Sequence, residues 1–579
     1  MRLQEYWGVG PKTATLLEDA LGVEAAVSAI ESADSRALVD AGLAPGRATR
    51  ILRRANGGPG LDVLATGDAR DVYRDLLALA EEYAVTRHAA DRVRVLTPLT
   101  SREAIESRLD AVAEATESWR ALDDETRSAV LDAFAEREGV HGELSAVETA
   151  IALRETGVES GAFAPLVDLD VERLDDAAVA LRALGGDRLG AGADDDLDRL
   201  RDALGAVEDM AADPAGVLET VKADARDASE FRDSFLRHVA REAGLPESEF
   251  RDSVADDAVD AETFVTESLR SLAGDLRARV DGRETAVAES LRETVERSRE
   301  AVDRAVEVVD DLAFAVSLAR FTDAYGLTRP TIVDGDALAV RGARNLDLLD
   351  TSESVQPVDY AIGDHSLDSI PTGDRVAVLT GANSGGKTTL LETLCQVQLL
   401  AMLGLPVPAE AAEVGLVDSV VFHRRHASFN AGVLESTLRS VVPPVTKEGR
   451  TLMLVDEFEA ITEPGSAADL LHGLVTLTVE RGALGAFVTH LAEDLEPLPD
   501  VARVDGIFAE GLTPELELQV DYQPRFGQLG KSTPEFIVSR LVAEASDRSE
   551  RAGYEHLAGA VGQEIVQRTL ADARWAPDG

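Results

Sequence analysis

The sequence predicts a multidomain fold of α and α/β class, with a short helical module first, a long all-α segment next and an α/β domain after it. Three observations lead to this prediction. Two similar glycine turns lie near the amino terminus, apolar residues recur at helical spacing over residues 269–309, and a glycine-rich loop follows an apolar run at 376–379. The 579 residues are enough for roughly three or four domains with cores of their own.

The composition is that of a folded protein with a strongly acidic surface. Apolar residues make up 45% of the chain, as in soluble globular proteins, but 107 acidic residues stand against 57 basic ones and the net charge is −50. Only five basic residues are lysines. Such a surface is typical of a high-salt cytoplasm, where salt screens the repulsion between carboxylates. Because attraction to phosphates is also weak at high salt, the net charge does not exclude a DNA partner.

The sequence shows no pattern for a membrane span or for export. No apolar run reaches the roughly 18 residues that a spanning helix needs, and the first residues, MRLQEYWGVG, lack a signal-peptide pattern. We therefore expect a cytoplasmic protein with no membrane partner.

Residues 1–58 are the predicted amino-terminal module. The letters YWGVGPKTA at 6–14 are echoed by GLAPGRA at 42–48, with helical patterns on both sides. This pattern resembles a tandem helix-hairpin-helix, a fold that grips the DNA backbone without reading the bases; a purely structural helical hairpin is the alternative. A glycine turn at a helix start offers free amides to a phosphate oxygen. The predicted DNA-binding residues are Gly8, Val9, Gly10, Lys12, Thr13, Arg47 and Arg50.

Residues 70–330, which follow a glycine-rich linker at 56–60, are predicted to be almost wholly helical. Apolar side chains recur every three, four or seven residues late in this segment, which predicts a long helix packed against partner helices. The charged residues between them are expected on a solvated face. The stripe consists of Leu269, Leu272, Leu276, Val280, Val287, Leu291, Val295, Val302, Val306 and Val309.

Residues 331–540 are predicted to form the α/β domain, and 541–579 a helical tail. The central feature of the domain is TGANSGGKTT at 380–389, between an apolar strand and a helical pattern. In such a phosphate-binding loop, backbone amides and the helix amino terminus hold the β-phosphate. Lys387 is expected to reach the β- and γ-phosphates of ATP, and Thr388 to ligate Mg²⁺. The predicted ATP-binding residues of the loop are Gly381, Ala382, Asn383, Ser384, Gly385, Gly386, Lys387, Thr388 and Thr389.

Two further predicted strands end in side chains that suit ATP hydrolysis. The apolar run at 452–455 leads into Asp456 and Glu457. Asp456 is predicted to hold Mg²⁺ through its water shell, and Glu457 to orient or deprotonate the attacking water. The run AFVTH at 486–490 ends in His490, which is predicted to sense the γ-phosphate. A structural histidine at a strand end is the alternative.

In their order along the chain, these motifs resemble the MutS family of DNA-repair ATPases. The likeness is strong over residues 376–491, where LAMLGLPVPAEAA at 400–412, ESTL at 435–438, VDEFEAITEPG at 455–465 and VTHL at 488–491 follow the loop. The GxxVPAE segment is a family feature that generic ATPases lack. A looser likeness covers residues 70–540 and includes IESRLDAV at 105–112.

The resemblance implies a homodimer of ABC-type ATPase domains, clamped on DNA by long helical levers. By the same analogy, Ser436 and Thr437 belong to a signature loop that completes the ATP site of the partner in trans. The sequence departs from the family pattern in three places. ASFN at 427–430 replaces glycine-aspartate before the signature, RNL at 344–346 replaces Arg-His-Pro, and EAIT at 459–462 replaces Gly-Arg-Gly-Thr.

We expect neither the Phe-x-Glu wedge of a mismatch-recognition domain nor the nuclease tail of another family branch. The sequence therefore resembles the archaeal branch with a helix-hairpin-helix module, which is thought to hold duplex or branched DNA. The resulting expectation is a cytoplasmic, homodimeric, Mg²⁺-dependent ATPase that acts on double-stranded or branched DNA in repair or recombination. The alternative is a chromosome-organising ATPase of SMC type, in which ATP binding mainly drives dimerisation. Against it, the loop and the acidic strand end lie close together in the sequence, and no Leu-Ser-Gly-Gly signature occurs.

Overall fold

In the computed structural model, the chain forms two compact units that alternate along the sequence. Residues 1–127, 160–162 and 312–579 form the first unit, and residues 128–159 and 163–311 the second. The structure describes residues 3, 6, 8–31, 34–135, 142–185, 189–225, 228–255, 260–352, 354–381, 386–425, 431–458, 464–495, 497–513, 518–530 and 534–575. Within these ranges, no helix combines the length and the apolar composition needed to cross a membrane.

The first unit begins with short helices around a small apolar core. They are α1 (Pro11–Leu21), α2 (Val23–Glu31), α3 (Ser35–Asp40) and α4 (Pro45–Gly57). The turns before α1 and α4 have the same geometry. Gly8 and Gly42 take positive φ angles of +82° and +100°, and the carbonyls of Gly10 and Ala44 each accept two amides from the helix that follows, at 2.8–3.0 Å. The echo in the sequence is therefore a structural repeat.

The prediction of a linker at 56–60 is wrong, because this segment is folded. Helix α4 runs to Gly57, and a 3-10 helix, Gly58–Val63, follows it. A Cβ atom on Gly60 would lie 1.9 Å from the carbonyl oxygen of Pro98. Glycine at this position permits a close approach of two backbone segments rather than flexibility.

Three helices after this turn share one apolar core with the strands of the α/β domain. They are α5 (Gly67–Glu81), α6 (Arg87–Arg94) and α7 (Arg102–Ala121). A hydroxyl caps the start of each, since Thr66, Thr86 and Ser101 accept an amide from the first turn. The helix predicted at 105–112 lies within α7. The predicted all-α segment at 70–330 is thus divided, and its first part belongs to the compact unit of the α/β domain.

In the residues described, the second unit consists of helices joined by turns and contains no strand. The helices that lead into it, form it and lead out of it are α8 (Asp124–Ala135), α9 (Glu143–Glu155), α10 (Val171–Leu184), α11 (Asp195–Ala212), α12 (Pro214–Asp224), α13 (Ala228–Ala243), α14 (Ala261–Arg297) and α15 (Arg299–Ala324). The apolar stripe predicted a long helix, and α14 has 37 residues. Its buried side chains include Leu269, Leu272 and Leu276. The stripe crosses a break at Ser298, where α14 ends and α15 begins.

The α/β domain contains two sheets among the described residues. The smaller has the order β1-β5-β2-β3 and the larger the order β10-β9-β4-β8-β7-β6. In the larger sheet all neighbours are parallel except β9 and β10. The strands are β1 (Thr331–Val333), β2 (Ala337–Ala343), β3 (Val358–Gly363), β4 (Val376–Gly381), β5 (Ala411–Gly415), β6 (Ser419–His423), β7 (Thr451–Asp456), β8 (Leu484–Val488), β9 (Ala502–Leu512) and β10 (Leu518–Phe526).

Strands β4, β7 and β8 of the larger sheet are buried on both faces, which explains why they are nearly continuous apolar runs, whereas β9 and β10 are more exposed. Successive side chains alternate between two cores: Leu379 and Leu454 pack on one face, and Val378 and Val455 on the other. The remaining helices of the domain and tail are α16 (Leu346–Thr351), α17 (Lys387–Met402), α18 (Ala431–Thr446), α19 (Pro464–Glu480), α20 (Pro534–Glu544), α21 (Arg548–Val561) and α22 (Gln563–Trp575). The tail is helical as predicted, but it consists of short helices and starts before residue 541.

Candidate nucleotide site

The larger sheet brings the predicted ATP-site residues together at one edge. Strands β4, β8 and β7 are parallel neighbours, so their carboxyl ends meet, which is where open α/β sheets bind ligands. Strand β4 ends at Gly381, where φ is +125° and a Cβ atom would lie 2.0 Å from the Ile507 carbonyl oxygen. Helix α17 starts after Gly386, which takes a left-handed conformation. The four predicted cradle residues between them, Ala382, Asn383, Ser384 and Gly385, lie outside the described residues.

Lys387 and Thr388 open α17 and point into the site. Lys387 is only 5% exposed, and its Nζ donates a hydrogen bond to the Gly381 carbonyl at 3.0 Å. The ammonium group is therefore held at the carboxyl end of β4. Thr388 Oγ1 donates to Oδ2 of Asp456 at 2.7 Å. Thr389 follows as a third lining residue of the same cavity.

Asp456 ends β7 as a buried carboxylate, 1% exposed. Its Oδ1 atom has no hydrogen-bond partner among the described residues. Burial raises the pKa of Asp456 above its usual value of 3.8, and the hydrogen bond from Thr388 opposes this shift. A buried carboxylate oxygen left without a partner, beside a threonine hydroxyl, fits Mg²⁺, which prefers oxygen ligands and keeps several waters.

Glu457 follows in a strained backbone conformation, with φ of +41°, a region that non-glycine residues rarely adopt outside functional sites. Its amide donates to the Val488 carbonyl at 3.0 Å. His490 Nε2 donates to Oε1 at 3.0 Å, and Arg425 Nη1 lies 2.5 Å from Oε2. The hydrogen bond from His490 is the main reason why the pKa of Glu457 falls below its usual value, with the charge of Arg425 adding to it.

Lys387, Thr388, Asp456 and Glu457 line a cavity of about 870 Å³, a size that suits a small-molecule ligand. Among the described residues, His490 does not line this cavity but contacts its lining residue Glu457. Sequence reasoning missed several of its lining residues, among them Asn345, Arg424, Arg425 and Tyr522. The two arginines directly follow β6, and they reach the site because β6 is the parallel neighbour of β7, a strand order that the sequence does not reveal. Tyr522 comes from the distant strand β10, and its ring lies where a Cβ atom on Gly386 would approach within 2.8 Å.

Ser436 and Thr437, the predicted signature residues, lie on α18. Ser436 is exposed and Thr437 is buried. Neither lines the nucleotide cavity of its own chain, as far as the described residues define that cavity. Residues 427–430 and 459–462, where the sequence departs from the family pattern, lie outside the described residues. The third departure is described: Asn345 caps α16 and donates to Thr393 at 3.3 Å.

The predicted DNA-binding residues surround the two repeated turns. Gly8, Gly10 and Lys12 are exposed, but Val9 is 3% exposed and packs in the core of the module. Thr13 is also buried, and its hydroxyl accepts a hydrogen bond from Arg47 Nη2 at 2.7 Å. These two residues occupy equivalent places in the repeat, so this bond ties its halves together. Neither side chain is therefore placed to bind a phosphate, and both backbone amides already bond within the module, that of Val9 to the Tyr6 carbonyl at 3.1 Å and that of Thr13 to the Gly10 carbonyl at 3.0 Å.

Comparison with known proteins agrees with this geometry. Residues 377–459 match the family model described as MutS domain V. The chain is 41% identical over 256 residues to "DNA-binding protein MutS2" of Pyrococcus furiosus, a match that covers 43% of this chain and 44% of that protein. It is 33% identical over 181 residues to "Endonuclease MutS2" of Solidesulfovibrio magneticus, covering 30% and 22%. It is 27% identical over 324 residues to "DNA mismatch repair protein MutS" of Desulfovibrio desulfuricans, covering 54% and 32%.

The aligned part of the chain therefore spans less than half the length of each of these relatives. The expected similarity to MutS-family proteins is confirmed for domain V, which contains the phosphate-binding loop and the acidic strand end.

Proposed function

We propose that this chain is a MutS-type ATPase that hydrolyses ATP with Mg²⁺ and couples hydrolysis to its hold on DNA in repair or recombination. One observation carries the proposal: Lys387, Thr388, Asp456 and Glu457 converge on a single cavity at the carboxyl edge of the larger sheet. This is the set of side chains that phosphoryl transfer from a nucleotide requires. The domain V match and the MutS2-named relatives support the same function.

Each residue has a distinct task in this chemistry. Lys387 exchanges its bond to the Gly381 carbonyl for the β- and γ-phosphates of ATP. Glu457 holds and deprotonates the attacking water, and its lowered pKa keeps it ionised and ready to accept a hydrogen bond. His490 orients Glu457 through the 3.0 Å hydrogen bond. Mg²⁺, held by Thr388 and Asp456, supplies positive charge to the phosphate oxygens.

The proposed partners are double-stranded or branched DNA and a second copy of the chain. The repeated turns before α1 and α4 have the exposed glycines and basic residues that suit a tandem helix-hairpin-helix on a DNA backbone. Ser436 and Thr437 lie outside their own nucleotide cavity, which agrees with a role at the ATP site of a partner chain. The acid-rich composition remains the basis for proposing a high-salt cytoplasm as the setting.

The test is the pair Lys387→Ala and Glu457→Gln. We expect Lys387→Ala to lose ATP binding, because the buried ammonium is the charge that meets the phosphates. We expect Glu457→Gln to retain ATP but to hydrolyse it about 100-fold more slowly or worse, as for loss of a general base. Binding of a fluorescent ATP analogue and release of phosphate are measured in molar KCl.

Two controls match these changes in chemistry. Lys222→Ala and Glu410→Gln alter exposed side chains of the same types outside the cavity, and both are expected to bind and hydrolyse ATP like the unmodified chain. Wild-type turnover in both cavity variants would refute the assignment of the site.

A further inference from the structure

A second cavity, of about 940 Å³, lies within the first unit between α4, α5 and α18. Helix α4 belongs to the repeated module and contributes Arg50, Arg53 and Arg54. Gly46 and Thr49, from the first turn of α4, also line the cavity. The second of the two glycine turns therefore leads directly into its wall.

The opposite walls are basic as well. Helix α5 contributes Arg70 and Arg74, and α18 with the residue that follows it contributes Arg439 and Lys447. Asp62 is the acidic lining residue among those described. The chain as a whole has a net charge of −50, so the basic lining makes the charge of this cavity opposite in sign to that of the chain. A cleft lined by positive charges concentrates anions.

Some of these cations are already engaged in structural contacts. The Arg53 guanidinium donates to the Arg94 carbonyl at 3.0 and 2.8 Å, Arg54 pairs with Asp62 at 3.2 Å, and Arg439 pairs with Glu435 at 2.7 Å. Arg74 pairs with Asp71 on its own helix. These contacts fix the shape of the cavity.

The other three cations have no carboxylate partner. In the part of the chain that the structure describes, Arg50, Arg70 and Lys447 form no salt bridge, and Arg70 makes only a long contact of 3.5 Å with the Ala65 carbonyl. Arg50 and Lys447 are exposed. They come from two sides of the cavity, one from α4 and the other from the end of α18.

We propose that this cavity binds the phosphodiester backbone of duplex DNA and thereby joins the amino-terminal module to α18, the helix that carries Ser436 and Thr437. This inference rests on the proposed DNA binding and gives it a location. Guanidinium groups bind phosphate oxygens through paired hydrogen bonds, and the cavity has space for more than one phosphate. A DNA strand bound at the Gly42–Gly46 turn would continue into this cavity, because Gly46 is one of its lining residues.

DNA bound in this cavity would contact α18, the helix whose Ser436 and Thr437 are proposed to act at the ATP site of a partner chain. Ser440 lines the cavity, and its hydroxyl donates to the Thr437 carbonyl at 2.8 Å. DNA phosphates held by Lys447 and Arg50 would therefore restrain α18 from its carboxyl end, and Ser440 links the cavity wall to the turn that carries the signature residues. A DNA-bound chain would offer these residues in a single orientation, which lowers the entropy lost when a partner site closes.

The test uses the double variant Arg50→Glu/Lys447→Glu in the full chain. Its control, Arg568→Glu/Arg481→Glu, makes the same charge change at exposed positions of the same unit; Arg568 lies on a helix like Arg50, and Arg481 directly follows a helix, as Lys447 does. Binding of a fluorescent duplex is measured without nucleotide over a series of KCl concentrations, and thermal melting verifies that both variants fold.

We expect the cavity variant to bind duplex roughly tenfold more weakly. The slope of log K against log salt should become less steep by about 2, because the variant no longer neutralises two of the DNA phosphates. We expect the control to bind like the unmodified chain. Hydrogen exchange of peptides from α18 should slow when duplex is added to the unmodified chain, but not when it is added to the cavity variant.

Equal weakening in the control would overturn the proposal, because general charge would then explain the effect. If inorganic tripolyphosphate displaces duplex at matched phosphate concentration, a small polyphosphate is the ligand and the DNA assignment falls. If the unmodified chain binds no duplex, the proposed function loses its DNA partner. If it binds and the cavity variant binds equally well, the cavity and the predicted DNA contact of Arg50 are both refuted, whereas DNA binding at the two glycine turns is not.

Discussion

Two adjacent carboxylates at the end of β7 have opposite properties. Burial and the neighbouring charge of Glu457 raise the pKa of Asp456, whereas the hydrogen bond from His490 lowers the pKa of Glu457. Environments that separate the pKa values of neighbouring acids assign them different roles. Glu457 stays ionised into the acid range as a base, and Asp456 carries an unpaired charge that a metal ion would compensate.

Asp456→Asn tests this division of roles. A carboxyl whose pKa is higher in the folded than in the unfolded chain destabilises the fold progressively as pH rises above the unfolded value of 3.8, and the cost is complete once the pH exceeds the raised pKa of the folded state. Removing the charge should therefore stabilise the nucleotide-free protein by roughly 0.5–2 kcal/mol, seen as a higher Tm at pH 7. Mg²⁺-dependent ATP hydrolysis should be lost.

Asp469→Asn is the control, because this carboxylate is exposed on α19. Its effects on Tm and on turnover should both be small. An Asp456→Asn protein that melts at a lower temperature than the unmodified chain at pH 7 would show that the carboxylate is compensated within the fold, contrary to its orphaned Oδ1.

At the residue scale, the sequence predicts the parts of the site that depend on local spacing. Lys387, Thr388 and Asp456 lie where strand-loop-helix and strand-end patterns put them. The contact between Arg425 and Glu457 depends on the order of strands in the sheet, which the chain order of the strands does not reveal. The positive φ of Glu457 likewise arises from its tertiary bond to Val488.

At the element scale, the segment at 64–68 joins α5 to the edge of the larger sheet. The Ala65 amide donates to the Val420 carbonyl at 3.1 Å. Thr66 Oγ1 donates to the Phe422 carbonyl at 2.7 Å and accepts the Phe422 amide at 3.1 Å. The same hydroxyl caps α5. This junction fixes strand β6, whose end supplies Arg424 and Arg425 to the nucleotide cavity.

Thr66→Val should therefore destabilise the first unit. The substitution keeps the shape of the side chain but leaves the Phe422 amide and carbonyl without their partner in a buried place, which costs about 1–3 kcal/mol. We expect a Tm lower by several degrees and weaker ATP binding as β6 loosens. Thr446→Val is the control, because that hydroxyl is exposed and bonds only within α18. Equal Tm values for the two variants would contradict the role of Thr66.

The contrast between local sequence patterns and long-range bonds such as those of Thr66 explains which helices and strands were predicted correctly. The strands β4, β7 and β8 and the long helix α14 follow from hydrophobic periodicity, a local property of the chain. The placement of α5 with the α/β domain depends on bonds between residues hundreds of positions apart, such as Thr66 and Phe422. A helical pattern at residues 67–81 is the same whichever core the helix joins, so the sequence alone placed it with the all-α segment.

At the scale of the whole molecule, the chain forms fewer compact units than the number of segments predicted. The amino-terminal module, the α/β domain and the tail belong to one unit, and the middle helices form the other. Because the module and α18 line a common cavity, binding at the module can influence α18 within a single unit. The strongly negative net charge makes the few basic clefts the places where a phosphate-rich partner can bind.

The proposed homodimer with composite ATP sites has a specific test in mixed dimers. Lys387→Ala inactivates a site in the chain that holds the loop, whereas Ser436→Glu would inactivate the site of the partner by repelling the γ-phosphate. Each variant alone should therefore be inactive. When the two proteins are mixed, a mixed dimer contains one doubly defective site and one site with an intact Lys387 and an intact Ser436. Random pairing makes about half of the dimers mixed, so roughly a quarter of the wild-type turnover should return.

Mixing Lys387→Ala with Glu457→Gln provides the contrast, because each of these changes disables the cavity of the chain that carries it. A mixed dimer of these two variants therefore has no intact site. Thr446→Glu controls for a new charge at the other end of α18. If mixing Lys387→Ala with Ser436→Glu restores no activity under conditions in which subunits exchange, Ser436 does not act across the dimer. If Ser436→Glu alone retains full turnover, α18 does not present it to any ATP site.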